Sequence, residues 1–143
     1  MAHEPTINAE TLGAPYKKFA TFKATDAIAL GELAVWDYSE IDGISVKQST
    51  GIDLPVVGIA LKAVAAGEYA LFQTKGLNLY VVNSATNTTV GGALTASATP
   101  GAALDTAIAA CDGDIALTCF GISCVVEADL AITGGVYLDC WGS

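Results

Sequence analysis

Gly31-Glu32-Leu33-Ala34-Val35 returns, nearly unchanged, as Gly67-Glu68-Tyr69-Ala70-Leu71. Each copy follows a small apolar run, Ala27-Ile28-Ala29-Leu30 in the first and Ala63-Val64-Ala65-Ala66 in the second. Glycine is the default where a chain must turn with positive φ, and the alternating residues after it suit a strand. Two equivalent turns therefore open two strands of one β-structure. Gly31 and Gly67 are expected in conformations that tolerate little but glycine, with Glu32 and Glu68 solvated. A looser echo joins Gly58-Ile59 to Gly121-Ile122, the latter ahead of an expected turn at Gly134-Gly135.

Short strands at short intervals continue on both sides of these turns. Phe19-Ala20-Thr21-Phe22-Lys23-Ala24 is β-prone, and Asp42-Gly43 is a hairpin-turn signal. Leu54 to Leu61 reads as a buried strand with Pro55 at its start or on an edge. Leu77 to Val82 reads as a separate strand after Lys75-Gly76, and Ala93 to Thr95 as a short one after Gly91-Gly92. Val136, Leu138 and Cys140 share one face of the last strand, opposite Tyr137, Asp139 and Trp141. The alanine-rich stretch 102–110, after Thr99-Pro100-Gly101, is the one expected helix, about two turns long. The pattern, punctuated by 15 glycines, predicts an all-β fold: a compact β-barrel with at most one short helix. The expected organisation is an extended N-terminal arm over 1–17 and a single β-barrel domain over 18–143.

Composition narrows the function classes. The chain has 143 residues, 52% of them hydrophobic, with a mean hydropathy of +0.51, enough for a substantial core. Fifteen Asp and Glu face six Lys and no Arg, a net charge of −9, which opposes binding to phosphate backbones. The most apolar stretch, Leu54 to Leu71, is interrupted by Lys62, Gly67 and Glu68, so no membrane helix is expected. The N-terminus, Met1-Ala2-His3-Glu4-Pro5, lacks the basic start and apolar run of a secretion signal, so assembly in a cytoplasm is expected.

The chemistry of catalysis is missing. Nucleophilic catalysis needs a base beside the nucleophile, and the sole histidine is His3, in the arm. Cys111, Cys119, Cys124 and Cys140 lack C-x2-C spacing and read as reduced thiols serving as small apolar side chains. Asp112-Gly113-Asp114 lacks the further oxygen ligands of a calcium loop and reads as a turn. No catalytic, cofactor or metal site is expected, and the chain is read as a non-enzyme. Two binding features remain. The arm, with Ile7, Leu12, Pro15 and Tyr16, is either a frayed terminus or a strap ordered on a neighbour. Trp36, Tyr38, Tyr80 and Trp141 either pack in the core and interfaces or form a sugar-binding platform.

Val57-Gly58-Ile59-Ala60, then Gly67-Glu68-Tyr69-Ala70-Leu71-Phe72 closing on Lys75-Gly76, resembles a family of small tailed-phage proteins. These are encoded near the major capsid protein and regarded as head-decoration, or cement, proteins. Ala27-Ile28-Ala29-Leu30-Gly31-Glu32 matches the apolar run and glycine that precede this unit. The likeness covers about residues 19–80; the cysteines and the stretch from Cys111 to Asp114 depart from it. It implies a β-tulip-like barrel, a homotrimer, and the major capsid protein as partner. The place implied is the outer capsid surface of the virion, where the trimer bridges neighbouring capsid subunits and resists the pressure of packaged DNA. An arm of this kind binds by adding a strand to an exposed sheet edge. The alternative is a phage head fibre or a receptor- or glycan-binding β module.

Overall fold

The computed structural model describes residues 17–51, 55–83, 93–106, 119–123 and 133–140. Within them run nine strands: β1 (Lys18–Ala24), β2 (Leu33–Trp36), β3 (Ser45–Gln48), β4 (Val56–Ala60), β5 (Tyr69–Val82), β6 (Ala93–Ala96), β7 (Ala103–Thr106), β8 (Gly121–Ser123) and β9 (Thr133–Asp139). They form one sheet in the order β1-β3-β2-β4-β5-β9-β8-β6-β7. Pairing of β1 with β5 closes the first five into a barrel. The fold is all-β, and no described residue is helical.

The repeated pentapeptide is the seam of that barrel. Residue n is matched by residue n + 36, as 31 by 67 and 32 by 68. Glu32 N donates to Ala29 O, and Glu68 N to Ala65 O, each at 3.1 Å. Gly31 and Gly67 are third in these turns, with φ +82° and +88°, the conformation that a turn of this kind asks of glycine. Each turn is tied to the strand before the other. Gly31 N donates to Ala60 O at 2.9 Å and Gly67 N to Ala24 O at 2.7 Å; Ala60 N and Ala24 N return bonds to Glu32 O and Glu68 O. Ile28 and Val64, which correspond, exchange backbone bonds with each other. Pairing repeats the relation: Leu33 lies opposite Ile59 as Tyr69 lies opposite Lys23. Four of the barrel's five strands, β1 with β2 and β4 with β5, are thus two copies of one strand–turn–strand unit, interlocked about a local two-fold, and β3 completes the closure.

The side chains inside the barrel follow the repeat. Ala24, Ile28 and Ala34 pack with their counterparts Ala60, Val64 and Ala70, around Phe22, Val46, Val57 and Phe72. A second core lies outside it, where Leu33, Val56 and Ile59 meet Val81, Leu94, Phe120, Val136 and Leu138 at the other half of the sheet, the second half of β5 with β9, β8, β6 and β7, called the second sheet below. Strand β4 is therefore buried on both faces, the reason Val56–Ala60 reads as a continuous apolar run. Pro55 precedes it, as expected.

Four expectations need correction. The stretch 103–106 is strand β7 and not the start of a helix; residues 107–110 lie outside the described ones. Alanine's helical preference is worth under ~1 kcal/mol per residue. The β6–β7 hairpin outweighs it with four paired positions and a turn in which Ala102 N donates to Thr99 O. Leu77 to Val82 is no separate strand: β5 runs 14 residues from Tyr69 through Gly76, whose φ is +97°. That bend lets one strand serve both sheets, its first half paired to β1 and β4 and its second to β9. Gly134 and Gly135 lie within β9, Gly134 opposite Val81, so the third echo is not a third copy of the turn. Finally, β2 ends at Trp36, well before the Asp42-Gly43 turn signal. Residues 37–44 link β2 to β3 in place of a two-residue hairpin.

Candidate functional site

Among the described residues, no group of three or more His, Cys, Asp or Glu is placed to hold a metal. No helix among them is long and apolar enough to cross a membrane. Cys140 is buried, which pushes its thiol pKa up, and Cys119 is half-buried; Cys111 and Cys124 lie outside the described residues.

What the barrel offers to partners begins at the 37–44 loop. Asp37 fastens its start, accepting from Ser39 Oγ at 2.6 Å, Thr25 Oγ1 at 2.7 Å and Ser39 N at 3.1 Å. These bonds, led by the Ser39 hydroxyl, hold its carboxyl pKa at about 2. Asp42 fastens the end. It accepts from Ser45 Oγ at 2.6 Å, Ile44 N at 2.9 Å and Ser45 N at 2.8 Å, which also lowers its pKa. The same bonds draw Ser45 under the loop, so Ser45 is buried while Ile44 stands exposed, the reverse of simple alternation. Between the two anchors Ile41 is 90% exposed with φ +46°. The loop encloses a cleft of about 210 Å³ lined by Trp36, Tyr38, Ile41 and Asp42.

The outer face of β1 and β5 is the second exposed surface. Phe19, Tyr69 and Leu71 are each at least 46% exposed. Lys23 stands opposite Tyr69, and Lys18 opposite Lys75. At one end the face opens into a pocket of about 330 Å³ lined by Lys17, Phe19, Leu61, Leu77, Leu79 and Tyr80.

The expected site residues are distributed as follows. Ile7, Leu12, Pro15 and Tyr16 lie outside the described residues. Glu68 is exposed and accepts from Ala65 N at 2.8 Å. Glu32 makes the same bond to Ala29 N at 2.7 Å but is half-buried, and also accepts from Gln48 Nε2 at 2.9 Å. A Cβ on Gly31 would overlap the Tyr80 carbonyl, whereas one on Gly67 would meet open space. Gly31 and Glu32 therefore serve the junction between the sheets, while Gly67 and Glu68 face outward. Trp36 packs edge-on against Phe22 at 5.4 Å and shares the 37–44 cleft with Tyr38. Tyr38 and Tyr80 line different pockets, and Trp141 lies outside the described residues. Sequence reasoning missed Ile41 and the Phe19–Leu71–Tyr69 face. The available signal for the first was an isoleucine set between acids in Glu40-Ile41-Asp42-Gly43.

Neither a protein-family model nor a curated protein sequence matches this chain. Among solved structures, the N base of the head fibre gp8.5 of bacteriophage phi29 is similar. The match covers 85% of this chain and 93% of that one, with a TM-score of 0.57 at 17% identity. The chain shares the fold of that protein.

Proposed function

We propose that the chain is a structural protein of a phage head, seated on the outside of the capsid. The likeness to the phi29 head-fibre base over nearly its whole length carries this reading. The Gly-Glu unit, which resembles head-decoration proteins, supports it from an independent direction. An acidic exterior suits that location, because packaged DNA lies inside the shell.

Two forms of the reading differ in what the protein does there. As a cement protein it bridges neighbouring major capsid subunits, and the arm residues Ile7, Leu12, Pro15 and Tyr16 contact them. As a fibre base it holds a projection and leaves capsid stability unchanged. Adding the purified chain to empty expanded capsids separates them. Binding with a raised capsid melting temperature supports cement; binding without it supports a fibre base. Absence of binding to any capsid removes the head assignment. Deleting residues 1–16 tests the strap, which fails if binding is undiminished.

A further inference from the structure

The cleft enclosed by the 37–44 loop is lined by two kinds of group that select an occupant. Trp36 and Tyr38 supply aromatic rings, and Asp37 and Asp42 supply carboxylates. The cleft exists before any partner arrives. Trp36 is held by its packing on Phe22, and the loop is pinned at both ends by the bonds that Asp37 and Asp42 accept. Such preorganisation lowers the cost of binding. At about 210 Å³ the cleft is smaller than the ~300–1,000 Å³ of a small-molecule site, the size for one side chain.

Both carboxylates stay charged at physiological pH. The hydrogen bonds they accept, led by the Ser39 hydroxyl at Asp37 and the Ser45 hydroxyl at Asp42, lower their pKa values, that of Asp37 to about 2. Among the described residues no salt bridge reaches either one, and Lys47 acts on Asp37 less than its hydrogen bonds do. Each carboxylate accepts three hydrogen bonds from the chain itself. An ionised carboxylate has about four acceptor sites, so each retains roughly one, which only a donor can fill.

These properties exclude most occupants. An anion is repelled, and a neutral apolar side chain leaves both charges without a partner. A saccharide also stacks on aromatic rings, but it needs several polar groups with spare hydrogen-bonding capacity, and the loop has used most of what is here. A cation on an apolar stem meets every requirement. Aromatic rings attract it, and its stem covers Tyr38 and Ile41, which are exposed in the free protein. A guanidinium suits the cleft better than an ammonium, because it is flat, weakly hydrated, and stacks on a ring while donating to carboxylates. We infer that the cleft receives an arginine side chain displayed by another protein. The chain itself has no arginine, so the occupant is not a second copy of it.

The inference does not depend on the capsid reading, and its test uses no capsid. The probe is a short blocked peptide, one arginine flanked by glycines, titrated into the full chain and followed by NMR. Saturable shifts are expected at the Trp36 indole, at Tyr38 and at residues 41–45. The same peptide with citrulline keeps the shape and removes the charge, and should bind roughly tenfold more weakly or worse. A lysine peptide should fall between the two, and added salt should weaken binding. Asp42→Asn keeps an oxygen for the Ile44 and Ser45 amides while removing the charge. It should weaken arginine binding severalfold, with the spectrum away from the loop unchanged. Tyr38→Ala, at an exposed ring, should do the same, and Tyr69→Ala, on the β1–β5 face, should not. Absence of saturable shifts in the loop overturns the inference. So does equal affinity for the citrulline peptide, or undiminished binding by Asp42→Asn. Shifts of the same residues by methyl glucoside at a lower concentration than by the arginine peptide would assign the cleft to a saccharide and overturn it too.

Discussion

Replacing Gly31 and Gly67 by alanine, one at a time, isolates the effect of surroundings from the effect of conformation. Both residues have φ above +80° and occupy matched turns, so both substitutions carry the same backbone cost, ~1–2 kcal/mol for an L-residue in that region. Reduced freedom of the unfolded chain returns ~0.4–1 kcal/mol of it. At Gly67 nothing else is added, since a Cβ there has no atom within 4 Å, and a net loss of ~1 kcal/mol is expected. At Gly31 the Cβ would overlap the carbonyl oxygen of Tyr80 and come within 2.8 Å of its carbon. That carbonyl belongs to the backbone of β5, and Val82 N, two residues on, donates to Gly31 O at 3.1 Å. Relief therefore requires the two sheets to part. Overpacking costs ~1–3 kcal/mol or more, and a broken buried hydrogen bond ~1–3 kcal/mol. The sum, ~3–7 kcal/mol, is a large share of a domain's ~5–15 kcal/mol. Thermal unfolding followed by tryptophan fluorescence checks this. Gly67→Ala should lower the melting temperature by ~3–4 °C, and Gly31→Ala by at least three times as much or to the point of not folding. Equal losses would refute the assignment of the first turn to the junction and of the second to the surface.

Other perturbations follow from the same geometry. Phe72→Ala empties the centre of the barrel, where Phe72 is fully buried against Phe22; urea titration should show a loss of ~3–5 kcal/mol. Glu32→Ala removes the acceptor of two hydrogen bonds at a half-buried site and Glu68→Ala that of one at an exposed site. Unfolding midpoints should therefore fall further for Glu32→Ala. The Asp37 pKa is depressed to about 2, so its contribution is complete above the ordinary carboxylate range near ~3.9 and is lost as pH falls through about 2. A carboxyl NMR titration should place its midpoint near 2, with the Ser39 amide resonance moving in step. A midpoint near ~4 would mean that the loop is not fastened as described.

Backbone periodicity made the strands legible, because alternation records which side of a sheet is covered. Val136, Leu138 and Cys140 are buried and Tyr137 and Asp139 exposed, as their spacing indicates. The doubly buried β4 was equally plain from its unbroken apolar run. Legibility ended where a distant partner decides the outcome. Residues 103–106 are strand because β6 pairs with them, and nothing in their own alanine content records β6. The continuity of β5 through Lys75-Gly76 depends on β9 receiving its second half, while a glycine after a charged residue looks locally like a stop. The exposed Ile41 was hidden for a related reason. It lies in a loop whose ends are held by hydrogen bonds that the Asp37 and Asp42 carboxylates accept, and loop residues carry no periodicity from which exposure can be read.

The repeat carries information about partners as well as about turns. Close to the turns, the positions facing the barrel interior agree, Ala24 with Ala60, Ile28 with Val64 and Ala34 with Ala70, while farther out buried Phe22 corresponds to Gly58 and buried Val57 to exposed Thr21. At positions facing outward they diverge, and in one direction. Leu33 and Ile59, covered by the second sheet, correspond to Tyr69 and Lys23, which have no such cover, and buried Val35 corresponds to exposed Leu71. Aliphatic side chains have become amphipathic ones at the same backbone sites, with one leucine kept. The unit that docks β6–β9 onto the barrel through its first copy thus leaves, through its second, the corresponding face uncovered and more amphipathic.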